Sequence, residues 1–79
     1  MSLPQHIFET GRNYRVRHNF TNGPSNFIAD EILSFERDGY SYYDNCSVYE
    51  FRSKTNELKS WCLFKNNSVD SWQQYFEPM

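Results

Sequence analysis

The sequence predicts a mainly β domain, a small antiparallel five-stranded barrel with a short C-terminal helix. Three observations carry that reading. Aromatic residues make up 19% of the 79-residue chain, enough large apolar surface for the core of a very small domain. Apolar and polar residues alternate in short runs, the period of half-buried strands. Polar turn residues separate these runs at close intervals, as an antiparallel meander requires. At this length residues 1–79 form one domain.

Taken in order, Leu3, Ile7 and Phe8 show no clear alternation, and Pro4 limits regular pairing. This lead-in is expected to lay one or two side chains on the core. After Gly11, the run Tyr14-Arg15-Val16-Arg17-His18 predicts a first strand with Tyr14 and Val16 inward and the arginines outward. Thr21-Asn22-Gly23-Pro24-Ser25-Asn26 reads as a loop, because Asn-Gly favours positive φ and Pro24 offers no ladder donor. Phe27 and Ile28 are expected to fold back from it onto the core.

The run Glu31-Ile32-Leu33-Ser34-Phe35-Glu36 is strand two. Arg37-Asp38-Gly39 is expected to turn the chain into a third strand, Tyr40-Ser41-Tyr42-Tyr43, which Asp44-Asn45 breaks. Strand four covers residues 47–52 and strand five residues 58–64, around a polar turn with Asn56 as its left-handed residue. Residues 68–76 are the one helical candidate. Ser68 caps it, Asp70 favours its positive end, and Val69, Trp72 and Phe76 share a stripe. Pro78 ends it.

The Ile32-Leu33-Ser34-Phe35 run after a long polar loop, the hairpin through Asn56 and the closing Gln74-Tyr75-Phe76 segment resemble the layout of SH3-like barrels. The first strand lacks an Ala-Leu-Tyr-Asp-Tyr type opening, and no adjacent Trp pair follows the second strand. The likeness therefore implies an architecture and not proline-rich peptide binding. Gly11-x-x-Tyr14-x-Val16, Tyr42-Tyr43-Asp44, Trp61-x-Leu63 and Trp72-x-x-Tyr75-Phe76 add a second likeness. Together they resemble a family of small uncharacterised bacterial domains of about 80 residues. That likeness implies a bacterial, single-domain protein and assigns no site.

Net charge is −2, which argues against sequence-independent nucleic-acid binding as the main role. Arg12, Arg15, Arg17 and His18 do gather cation on the first strand, and single-stranded nucleic acid stacking on Tyr42 or Tyr43 is the alternative they raise. Opposing them are Asp30, Glu31, Glu36, Asp38 and Asp44, and the simplest expectation is that the two segments neutralise each other across the sheet. No apolar run is long enough to span a membrane, and the N-terminal residues lack an export-signal layout, so a cytoplasmic location is expected.

Cys46 and Cys62 lack metal or redox spacing and fall two to four positions out of register in the fourth hairpin, which predicts two reduced thiols. His6, His18 and these cysteines give no structural-zinc pattern, and no metal or cofactor is expected. Nor is there a phosphate loop or a nucleophile elbow, so the chain reads as non-catalytic. What remains is an aromatic and acidic cluster around the second hairpin. Tyr42, Tyr43 and Asp44, with Glu36 and Asp38, are the expected contact surface for another protein. One form of that role is an acidic, immunity-type inhibitor of a basic toxin. Self-association through a strand edge is another.

Overall fold

A computed structural model describes residues 7–64 and 69–79. Among them run β1 (Asn13–Val16), β2 (Phe20–Asn22), β3 (Ser25–Phe27), β4 (Ile32–Ser41), β5 (Cys46–Ser53), β6 (Leu58–Phe64) and β7 (Phe76–Pro78). A 3-10 turn, Val69–Gln74, precedes β7. Five strands form one antiparallel sheet in the order β6-β5-β4-β1-β7, and β2 and β3 form a separate hairpin.

The expected barrel does not close. Its outer strands, β6 and β7, do not pair with each other. Instead the β2–β3 hairpin bridges the gap between them. Phe27 is fully buried and meets Phe76 of β7 edge-on at 5.6 Å, while Phe20 stacks on Phe27 at 4.7 Å. On the other side the Asn22 amide imitates a strand. Its Nδ2 donates to the Cys62 carbonyl at 3.1 Å and its Oδ1 accepts from the Cys62 N–H at 2.9 Å. Ser25 Oγ accepts from the Ser60 N–H at 3.1 Å. The segment read as a loop is therefore a tight hairpin, with Asn22 opposite Ser25 and Gly23 at φ 60. Positive φ at the first turn position followed by a proline-fixed negative φ matches the twist of the flanking strands.

Two more expectations change. Arg37-Asp38-Gly39 is not a turn: β4 runs through it, with a bulge between Phe35 and Arg37, and reverses only at residues 42–45. The bulge absorbs the break in alternation that the sequence shows there. The C-terminal helix is likewise absent. Ser68 lies outside the described residues, and the segment after it winds as 3-10 and closes with Tyr75 N–H donating to the Trp72 carbonyl at 3.0 Å. Two turns of helix are marginal alone, and the chain must straighten at once for Phe76, Glu77 and Pro78 to pair with β1. Pro78 sits opposite Tyr14 on this outermost strand, where a missing donor costs no ladder bond.

The β5–β6 hairpin through Asn56 matches its reading. Arg52 pairs with Leu58, and Asn56 takes φ 67. Tyr14 and Val16 are buried as expected, whereas Ile28 projects outward.

The core is aromatic, and Phe8 from the lead-in plugs it. Its ring lies between 5.0 and 6.2 Å from those of Tyr14, Phe35, Tyr49, Phe51, Trp61, Trp72 and Phe76. Most of these contacts are edge-to-face, the arrangement the ring quadrupole favours. Phe8→Ala should cost about 3–5 kcal/mol in urea unfolding, a large share of a small domain's stability. A loss below about 1 kcal/mol would show that the lead-in is not part of the core. Asn22→Asp keeps the acceptor facing the Cys62 N–H but sets a carboxylate oxygen against its carbonyl. It should cost about 1–3 kcal/mol at neutral pH, and an unchanged urea midpoint would refute the strand-mimic role.

Candidate interaction surface

The candidate surface is built by the β4–β5 hairpin. Up to Phe35 the buried residues of β4 are odd-numbered, with Leu33 and Phe35 facing the core. The bulge resets this. Glu36 and Arg37 both reach the outer face, where Arg52 donates to Glu36 through Nε at 2.9 Å and Nη2 at 3.2 Å, and Arg37 pairs with Glu50. Beyond it, Asp38 is opposite the buried Tyr49 and Tyr40 opposite Ser47, so these residues share the inner face.

At the far end the turn is fixed by its own side chains. The Ser41 hydroxyl accepts from the Asp44 N–H at 3.2 Å and donates to the Asp44 carboxylate at 3.3 Å. Tyr40 donates to the Asn45 side-chain oxygen at 2.5 Å, and Asn45 takes φ 58. This leaves Tyr42 and Tyr43 at the apex, 78% and 98% exposed. The Tyr42 ring stands edge-on to Tyr40 at 5.0 Å, while Tyr43 projects into solvent.

The five sequence-predicted residues thus separate into two groups. Tyr42, Tyr43 and Asp44 come together at the tip. Glu36 and Asp38 lie on opposite faces of β4, and Glu36 is engaged by Arg52. That hydrogen bond holds the Glu36 carboxyl below the ordinary carboxylate value and raises Arg52.

The arginine strand is also tied. Arg15 stands opposite Glu77 of β7 and donates to both its carboxylate oxygens at 2.8 Å, which lowers Glu77 and raises Arg15. Arg12 lies 3.7 Å from Glu9. The first strand's arginines are therefore met chiefly by Glu77 and Glu9; of the five acids the sequence set against them, Asp30 adds attraction on Arg15. Arg12–Arg15 and the tyrosine pair also sit apart, since β1 pairs with residues 32–34 of β4 and the tyrosines follow residue 41. The His18 ring packs beside Phe20 and Tyr75.

Among the described residues no three His, Cys, Asp or Glu side chains gather as metal ligands. No helix there is long and apolar enough to cross a membrane. A cleft of about 330 Å³ is an open groove between β3 and β6 lined by Pro24, Ile28, Leu58 and Lys59. Lys59 is buried in its wall, with Nζ donating to the Asn26 carbonyl at 2.7 Å and to both Glu31 oxygens at 2.8 and 3.0 Å. Sequence reasoning missed this Lys59–Glu31 pair. It also missed the exposed Phe64 at the end of β6. The position of Lys59 in the inward register with Trp61 and Leu63 was the available signal.

No family model, no curated protein and no solved structure matches this chain.

The lowered carboxyls set a direction for pH dependence. Groups held below their unfolded value contribute stability that is complete above about pH 4.3 and lost as acid protonates the folded form. The urea midpoint should therefore fall on acidification below that point. Replacing both acids (Glu36→Gln with Glu77→Gln) should flatten the fall; an unchanged slope would mean that solvent screening cancels both pairs.

Proposed function

We propose that the chain is a non-catalytic protein-interaction module whose contact surface is the β4–β5 tip, Tyr42, Tyr43 and Asp44. The single observation that carries this reading is the exposure of two adjacent tyrosines on a turn braced by its own hydrogen bonds. Most other large apolar side chains of the described residues lie in the core or against it. Tyrosine presents much contact area for little rotamer entropy, and a braced turn has already met part of the ordering cost of binding.

Asp44 and the chain's net charge of −2 favour a basic partner surface, the charge relation that an immunity-type inhibitor has with a basic toxin. The ion-paired state of Arg12 and Arg15 weighs against the nucleic-acid alternative, since phosphate binding needs free cation. Edge-to-edge self-association is disfavoured too. The β6 edge carries the Asn22 and Ser25 bonds, and on β7 the Phe76 carbonyl faces Arg17 Nε at 3.4 Å. A reducing cytoplasm suits two free thiols.

The test compares proteins captured from a source-organism lysate by the wild-type domain and by Tyr43→Ala. Tyr43 touches little of the fold, so its removal should change stability by less than about 0.5 kcal/mol. It should weaken a true partner by about 2 kcal/mol, the loss expected of a central aromatic anchor. Equal capture by the two proteins would place the contact elsewhere.

A further inference from the structure

We propose that Cys46 and Cys62 form a reversible redox pair that closes to an intramolecular disulfide and reopens readily. In the β5–β6 ladder Cys46 stands opposite Phe64 and Cys62 opposite Val48, so the two cysteines are diagonal neighbours on adjacent strands. Tyr49, Phe51, Trp61 and Leu63 take the core-facing positions of both strands, which places both cysteines on the other face. There Cys46 is 1% exposed and Cys62 is partly buried, one diagonal step away in the ladder.

Burial, then the neighbouring Cys62 and Asp44, push the Cys46 thiol up to about 11. This environment resists a thiolate but accepts an uncharged disulfide. The geometry also says what kind of bond results. Diagonal strand neighbours have Cα atoms about 7–8 Å apart, whereas disulfides usually span less than about 6.8 Å. The strands must be drawn together to form the bond, and a bond made under strain is easily reduced. It is not a structural staple, in agreement with the two reduced thiols.

The oxidant is a peroxide. The Cys62 thiol, the more exposed of the two, gives its proton to solvent and its sulfur attacks a peroxide oxygen; the O–O bond breaks, Cys62 becomes a sulfenic acid, and the departing hydroxide takes up a proton from solvent as water. The Cys46 sulfur then attacks the Cys62 sulfur. The S–S bond forms, hydroxide departs, and it takes up the Cys46 proton as a second water. Two thiols supply the two electrons that reduce the peroxide. The alternative is a pair of inert buried thiols.

Folded protein titrated with hydrogen peroxide and followed by intact mass tests this directly. The expected result is a loss of two hydrogen atoms per chain, with both thiols recovered in a glutathione buffer. Cys46→Ser should instead stop at a Cys62 sulfenic acid that dimedone traps. The proposal is overturned if the wild type remains unoxidised, forms cross-linked dimers or accumulates sulfenic or sulfinic acid at Cys62. A disulfide that survives glutathione also overturns it. Cys62→Ser, which removes the more exposed thiol, should leave Cys46 unmodified while the domain stays folded by circular dichroism. Oxidation of Cys46 in that variant at the wild-type rate would equally overturn the order of steps.

Discussion

A sheet whose outer strands do not pair leaves a row of backbone donors and acceptors along each edge. In a domain of 79 residues, burying such groups unsatisfied would cancel much of the folding free energy. Here the β2–β3 hairpin meets that constraint for β6. It supplies amide and hydroxyl groups where a neighbouring strand would supply peptide groups, at Cys62 and Ser60. The same hairpin inserts Phe27 beneath the sheet, against Phe76. One element therefore satisfies an edge and fills the core, which lets an open sheet enclose an interior without closing into a barrel. At β7 the solution is subtraction. The strand is three residues long, and its last member, Pro78, has no N–H to leave unpaired.

The charges follow from that architecture. Away from the buried Cys46, the outer face of the sheet is partly exposed to water, and Arg15–Glu77, Arg52–Glu36 and Arg37–Glu50 line it as cross-strand pairs. Each is partly exposed and holds register more than it adds stability. Lys59 differs because it points into the protein. With three oxygens from Asn26 and Glu31 around its ammonium, it ties β6 to β3 and to the segment entering β4. Removing Glu31 alone would leave a buried cation short of acceptors, the costly half of such a pair.

The strands were legible wherever alternation was clean. Tyr14 and Val16, the hairpin through Asn56 and strand 58–64 all stand as the pattern implied. Reading failed where one signal had two structural meanings. Arg37-Asp38-Gly39 has turn composition, but a bulge at Glu36 lets such residues continue a strand, and only the partner strand decides between them. Asn22-Gly23-Pro24-Ser25 has loop composition, yet Phe20 and Phe27 at its ends stack on each other and pull it into a hairpin. Val69, Trp72 and Phe76 have helical spacing, but Phe76 is claimed by β1, a pairing across most of the chain's length that no local window contains. At the candidate site Asp44-Asn45 was legible as a break, but Tyr42 and Tyr43 read as the end of a strand and stand instead in the turn at residues 42–45. The separation of Glu36 from Asp38 was not legible, because it depends on the bulge.

That bulge also explains why the tip can be spared for another task. It turns β4 so that Phe35 is its last core residue, and Asp38 and Tyr40 extend the inner face past the aromatic cluster. Beyond Phe35 β4 itself adds no residue to the core; it is held by its ladder to β5, where Tyr49 and Cys46 stay buried, by the Arg37–Glu50 pair and by the Tyr40–Asn45 bond. Changing Tyr42 or Tyr43 thus removes nothing the core depends on. Selection can act on those two rings for what they contact, while the rings of Phe8, Phe27 and Phe76 answer to packing alone. In so small a domain this separation is possible only at a hairpin end that outruns the core, and β4 is the longest strand described.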